Sequence, residues 1–246
     1  MGFSEDAILD GRVRLRQPLE GYRAGMDAAL LAAGCEAGVG QRVLEAGCGA
    51  GAVLLAAAFR NPGARFAGVE RDGAAVALAR ENIVLNGLGT RVEALVGDVG
   101  APFADLGLEL FDAALANPPF FDDEGALRGP HPSKRGAWIA EEGLGAWAAF
   151  LLAAVRDGGV IVLIHRADRL ADILARLSPR AGSFQIRPVH AFADEPAKRV
   201  VVRALRAGKA PLRLLPPLVL HDRVAGAKHT AAAEAVLRGE ARLEWL

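Results

Sequence analysis

Glu45-Ala46-Gly47-Cys48-Gly49-Ala50-Gly51 sets an acid before three glycines at alternate positions. Glycines let a backbone turn sharply from strand to helix and approach a ligand closely. A dinucleotide site would space them G-x-G-x-x-G and rest a pyrophosphate on the helix N-terminus. The spacing here is G-x-G-x-G, and the leading carboxylate would repel a pyrophosphate. It suits a cationic ligand instead. S-adenosyl-L-methionine (SAM) carries a sulfonium and an ammonium group. Glu45, Ala46, Gly47, Gly49 and Gly51 are therefore candidate donor-binding residues, against the plainer reading of a glycine-rich turn.

Three further motifs follow at strand ends. Glu70 lies 19 residues after Gly51, with Arg71 beside it. A carboxylate there accepts hydrogen bonds from both hydroxyls of a ribose, in NAD enzymes as in others. In Gly97-Asp98-Val99, Asp98 is placed to accept from an adenine amino group and Val99 to lie against the ring. Gly-Asp is also a common turn. Asn117-Pro118-Pro119-Phe120 is the most specific motif. Its prolines fix the backbone and remove two N–H groups. The Asn117 side-chain oxygen and the Pro118 carbonyl can then both accept from one NH2 group. That grip stabilises positive charge developing on the nitrogen. Phe120 offers a face to a flat substrate, as aromatic side chains do in single-strand binders. The alternative is a stiff Pro-Pro turn.

The elements that must hold these motifs alternate. Arg42–Ala46, Arg65–Glu70, Val92–Gly97, Phe111–Ala116 and Val160–Ile164 read as apolar strands. Helices are expected at Ala52–Arg60, Gly73–Leu85, Leu144–Arg156 and about Asp168–Leu177. Such strands imply a parallel sheet covered on both faces. Ser183–Phe192 and Arg199–Leu205 are joined by a link too short for a crossover helix, so they should pair antiparallel. The sum is an α/β fold: a doubly wound, seven-stranded, mostly parallel, Rossmann-like sheet with an antiparallel last strand. Ligands in such sheets bind at the strands' carboxyl ends near the switch in strand order. All four motifs converge there. Residues 1–40 form a lead-in with a basic-faced strand (Gly11–Pro18) and a helix (Met26–Glu36). Residues 41–207 form the catalytic domain. Residues 208–246 form a tail packed on it, with an extended stretch at Leu212–Leu220 and a helix near Ala231–Leu237.

The 246 residues carry equal numbers of basic and acidic side chains. Zero net charge disfavours a protein that coats nucleic acid non-specifically. The charge is uneven, however. Gln41–Gly125 holds six Lys/Arg against twelve Asp/Glu, and Pro196–Leu246 holds ten against four. A basic end beside an acidic core fits a polyanionic partner or a mixed solvated surface equally. Arg12/Arg14/Arg16, Lys134/Arg135 and Lys198/Arg199 with Arg203 read either as phosphate contacts or as local ion pairs. Cys35 and Cys48 are too few for a disulfide framework or a zinc site, which suggests a reducing, cytoplasmic setting. Cys48 reads as a small filler, and His165 as a structural histidine beside the pocket. The remaining histidines show no metal-ligand spacing. The start lacks a signal-peptide order, and the longest apolar run, Ala52–Phe59, is too short for a bilayer. No metal and no membrane partner are expected.

On these motifs the chain resembles the class I SAM-dependent methyltransferases. Asn-Pro-Pro-Phe is similar to the branch that methylates exocyclic or amide nitrogens. Within it the chain resembles the bacterial tRNA1(Val) adenine-37 N6-methyltransferase and small-domain methyltransferase group. The lead-in Gln17-Pro18 … Gly21-Tyr22-Arg23-Ala24-Gly25-Met26-Asp27-Ala28-Ala29-Leu30-Leu31-Ala32 is similar to that group's, where it packs beside the methionine end of SAM. The resemblance adds Asp27 and Asn117 to the cofactor side and implies Asn117–Phe120 as the amine-holding catalytic set. The loop Phe121–Gly136 departs from the pattern; its Arg128, Lys134 and Arg135 are candidate substrate contacts. The implied reaction is methyl transfer to an exocyclic amine, N6 of adenine in tRNA. The alternatives are guanine-N2 or protein glutamine-N5 methylation, or a SAM- and RNA-binding module without catalysis. Glutamine methyltransferases of this type usually carry Tyr at the Phe120 position and an extra N-terminal domain.

Overall fold

The computed structural model describes residues 2–19, 23–119, 143–223 and 228–245. β1 (Phe3–Ile8) and β2 (Val13–Pro18) form an antiparallel hairpin apart from the main sheet. Val13 and Leu15 face inward while Arg14 and Arg16 stay exposed, so β2 has its basic face. Those cations are already paired. Arg14 and Arg16 both meet Glu5 of β1, and Arg16 reaches Glu81 at 3.7 Å. Of the two readings offered by the basic face, local ion pairing is the one seen. The sequence pattern predicts no strand at Phe3–Ile8, which holds two acids, a serine and an alanine. Its extended form comes from the β2 ladder rather than from propensity.

Among the described residues, nine strands make the main sheet. They are β3 (Arg42–Ala46), β4 (Arg65–Glu70), β5 (Val92–Val96), β6 (Phe111–Ala116), β7 (Val155–Arg166), β8 (Ala181–His190), β9 (Ala197–Arg206), β10 (Arg213–Leu214) and β11 (Leu218–Val219). Their order is β5-β4-β3-β6-β7-β9-β8, with the two-residue β10 and β11 both on β8. β9 alone runs against the rest. The seven expected strands are thus all present, and the extended tail adds the last two. The chain winds outward from β3 through β4 to β5, then returns to lay β6 on the other side of β3. The gap above β3 and β6 is the switch point where ligands bind in open α/β sheets.

Helices α1 (Met26–Ala33), α2 (Ala52–Arg60) and α3 (Gly73–Leu85) cover one face, and α4 (Gly143–Ala154) and α5 (Leu170–Leu177) the other. The two apolar clusters divide β3 by alternation: Val43 belongs to the first and Leu44 and Ala46 to the second. The pattern Leu144–Arg156 predicts a longer α4 than is seen. The helix ends at Ala154, because Val155 pairs with Phe111 and opens β7. Asp157-Gly158-Gly159 then forms a bulge, and pairing resumes at Ala113 with Val160. A Cβ at Gly159 would stand 2.3 Å from Val155 Cγ1.

The C-terminal segment closes the lower end. α6 (Ala231–Leu237) packs on α1, and Leu243 N–H donates to Ala33 O at 3.0 Å. Arg60 ends α2 only 8% exposed and donates to Ala241 O at 2.8 Å and Val236 O at 2.5 Å. Burial, reinforced by Arg242 and Arg12, depresses its guanidinium to about 10. Arg60→Ala is expected to strand two buried carbonyls and lower stability by about 2 kcal/mol, read as a lower urea midpoint at unchanged m-value.

Candidate functional site

Glu45 occupies the most costly position in the site. It lies on β3 opposite Gly68 of β4 and Leu115 of β6, and it is 2% exposed. One interaction favours its charge: a hydrogen bond from the Leu54 backbone near the start of α2. Its Oε2 has no partner among the described residues. Burial, with Glu70 adding repulsion, holds this carboxyl well above the usual carboxylate range. An anion in such a place calls for a cation.

The chain then turns. Gly47 and Cys48 donate their N–H groups to Val69 O at 2.8 and 3.1 Å, which pins the loop to β4. Gly47, Gly49 and Gly51 have φ of +67°, +52° and +90°, the left-handed region that favours glycine. Gly51 caps α2, so the glycines lead directly into a helix N-terminus. Cys48 is buried, and burial pushes its thiol far up, so it is inert filler. Its Sγ would lie 2.7 Å from a Cβ on Gly68, so Gly68 is needed to receive it.

Glu70 ends the next strand with each oxygen engaged once. Oε2 accepts the Gly49 N–H at 3.1 Å and Oε1 accepts the Asp72 N–H at 3.0 Å. Each oxygen keeps a second lone pair for a diol. Arg71, which follows it, is exposed. Asp98 is also exposed, and its Oδ1 accepts the Gly100 N–H at 2.8 Å to close a turn. Val99 is buried in the cluster on the α4 side. Asn117, Pro118 and Pro119 follow β6. Ala46 pairs with Ala116, so Asn117 stands level with Gly47 on the neighbouring strand. Asn117 is half-buried, Pro118 buried and Pro119 exposed. The structure thus brings Glu45, Ala46, the glycine loop, Glu70, Asp98 and Asn117 to one end of four adjacent strands.

Asp27, in the first turn of α1, sits beyond them and accepts from Arg199 Nε at 3.0 Å. Lys198 lies 3.8 Å from Glu195, and Arg203 donates to Gln185 Oε1 at 2.7 Å. This basic set is therefore locally paired. His165, buried near the end of β7, is depressed to about 4 by burial and then by Arg199 and Arg166. Phe120, Arg128, Lys134 and Arg135 lie outside the described residues.

Sequence reasoning missed Trp147. A Cβ on Gly47 would stand 2.3 Å from its Cη2, so the indole of α4 lies directly on the loop. A tryptophan in an Ala-rich helix facing a glycine loop was the available signal.

Comparison with known proteins agrees with this geometry. Residues 24–128 match the family model described as the methyltransferase small domain. That match covers less than half of the chain, and the Rossmann-like fold around it is the one found in methyltransferase structures. The structure is similar to that of Atu636 of Agrobacterium tumefaciens, described as a predicted O-methyltransferase. The TM-score is 0.74 at 26% identity, covering 88% of this chain and 98% of that one. TrmN of Thermus thermophilus has a TM-score of 0.50 at 24% identity, covering 74% and 48%. In sequence, the chain is 30% identical over 174 residues to the release factor glutamine methyltransferase of Caulobacter vibrioides. That match covers 71% of this chain and 53% of the relative, so the chain spans about half of that protein's length.

The methyltransferase small-domain match and the shared fold support SAM as the cofactor. The residues present fit it: an orphaned buried carboxylate oxygen, a loop open to close approach and a paired-oxygen acceptor one strand away. No helix among the described residues is long and apolar enough to cross a membrane.

Two outcomes follow from the loop. Gly47→Ala forces a Cβ into Trp147 at a left-handed φ, and is expected to weaken SAM binding about tenfold or more, ~1.4 kcal/mol, by calorimetry. Glu45 is protonated in the empty protein up to its raised pKa, and a cation at Oε2 favours the ionised form. SAM binding should therefore release a proton. Affinity should rise with pH through that range and level off above it. Glu45→Gln should flatten the profile.

Proposed function

We propose that this methyltransferase transfers the methyl group of SAM to an exocyclic amino nitrogen, N6 of an adenine in tRNA. The observation that carries the reading is the register of β3 against β6, which sets Asn117-Pro118-Pro119 beside the glycine loop. The Asn117 side-chain oxygen and the Pro118 carbonyl accept from the target NH2. Proline at 118 and 119 supplies no competing N–H donors. The acceptor is held in line with the donor methyl group, so positioning supplies much of the acceleration. An exocyclic aromatic amine is hardly basic, and the two acceptors stabilise charge that develops on it. Phe120 stacks the base, which must turn outward from any stacked loop. Arg128, Lys134 and Arg135 take up phosphate, because Arg14, Arg16 and Arg199 are engaged in ion pairs. In this reading Glu45, Ala46, Gly47, Gly49 and Gly51 line the donor site, with Asp27 beside its methionine end. Glu70 and Arg71 border the ribose, and Asp98 and Val99 the adenine. The setting is cytoplasmic.

A second reading is favoured by the Caulobacter relative: N5 of a glutamine in a protein, whose amide presents the same NH2 group. Incubation with tritiated SAM, followed by separation of RNA from protein, discriminates the two. Label in tRNA adenine supports the first and label in protein glutamine the second. Asn117→Ala is expected to bind SAM within about twofold of wild type and to lose turnover by about 100-fold or more. Wild-type turnover in this variant would remove Asn117 from its role.

A further inference from the structure

Asn82, on the third turn of α3, is completely buried and carries no chemistry in the account above. Its amide makes three hydrogen bonds to two separate pieces of chain. Oδ1 accepts the Arg16 N–H at 2.8 Å, and Nδ2 donates to Arg16 O at 2.9 Å and to Ala50 O at 3.0 Å. One turn further along the helix, Asn86 repeats the first half of this pattern. It accepts the Arg14 N–H at 2.9 Å and donates to Arg14 O at 2.7 Å. The two amides act as a partner strand for β2. Only Asn82 also holds the glycine loop.

Ala50 O belongs to the peptide between the left-handed residues Gly49 and Gly51. The other end of that peptide, the Gly51 N–H, donates to Cys48 O at 2.8 Å. Both ends are thus tied, and the orientation of this peptide sets the path of the loop on either side. A single side-chain amide thus contacts both β2 and the loop, so a shift of that amide disturbs both.

We propose that Asn82 is a positioning residue that joins the β1–β2 hairpin to the donor loop, so that seating of the hairpin and binding of SAM are one linked equilibrium. A ligand that selects one loop geometry then also selects the docked hairpin. α3 runs antiparallel to the strands, so β2 climbs from Asn86 toward the carboxyl-end crevice. The hairpin thus becomes firm at the rim where an acceptor arrives.

Asn86 provides the control, because Asn82→Ala and Asn86→Ala each remove the two bonds to β2 but only the first frees Ala50 O. Calorimetry with SAM is expected to show about tenfold weaker binding for Asn82→Ala and a change under twofold for Asn86→Ala. Equal affinities in the two folded variants would overturn the proposal. Should Asn82→Ala not fold, hydrogen exchange on the wild-type protein decides it. Saturating S-adenosylhomocysteine, the demethylated donor, should slow exchange at the Arg16 amide about tenfold or more. An Arg16 amide that exchanges equally with and without this ligand would refute the linkage.

Discussion

The cost of burying one carboxylate governs this molecule. Glu45 is taken out of water on a central parallel strand, with a single backbone hydrogen bond to favour its charge and one oxygen without a partner among the described residues. A charged group in that state would cost several kcal/mol. Burial holds the carboxyl well above the usual carboxylate range, which favours its neutral form in the empty protein. A cationic cofactor changes the balance, because it brings the missing counter-charge. On the proposed reading, the strand end is tolerable without ligand and gains its counter-charge from the cofactor.

Parallel pairing turns that local condition into a site. Ala46 is in register with Val69 on one side and Ala116 on the other, so three chain reversals begin at one level. Gly47 and Cys48 bind Val69 O, and Glu70 reaches back to the Gly49 N–H. Donor loop and second acid are thus one hydrogen-bonded unit. Packing enforces it from both faces: Trp147 presses on Gly47 from the α4 side, and Cys48 fills the space above Gly68. Small residues at 47 and 68 follow from contact distances as much as from backbone angles.

Most of the parallel sheet was legible because its strands are short, continuous apolar runs closed by glycine or Asn-Pro signals. Gly73–Leu85, Arg65–Glu70 and Phe111–Ala116 match the structure residue for residue. The misses have physical causes. β1 has no strand composition and exists because β2 offers it a ladder and Arg14 and Arg16 offer Glu5 a counter-charge. Val155 looked like part of the helix read at Leu144–Arg156, yet its partner is Phe111, and a bulge lets the sheet absorb the Gly-Gly pair. The site's chemical groups were legible because each sits at a strand end next to its own punctuation. Its supports were not. Trp147 acts across some 100 residues of sequence, and Asn82 works through backbone atoms that no residue type announces.

On the proposed RNA reading, the charge distribution bears on how an acidic crevice would receive a polyanion. Glu45, Glu70 and Asp98 crowd the donor end, which favours a sulfonium cation and opposes phosphate. An RNA acceptor can then offer only its base to the crevice and must keep its backbone outside. That geometry demands a base turned out of its stack, a stiff grip on one NH2 group and cations placed beyond the rim. The Asn-Pro-Pro turn meets the second demand from the strand next to the donor loop. On that reading, charge repulsion adds to selectivity: it admits a flat neutral group and keeps phosphates out of the crevice.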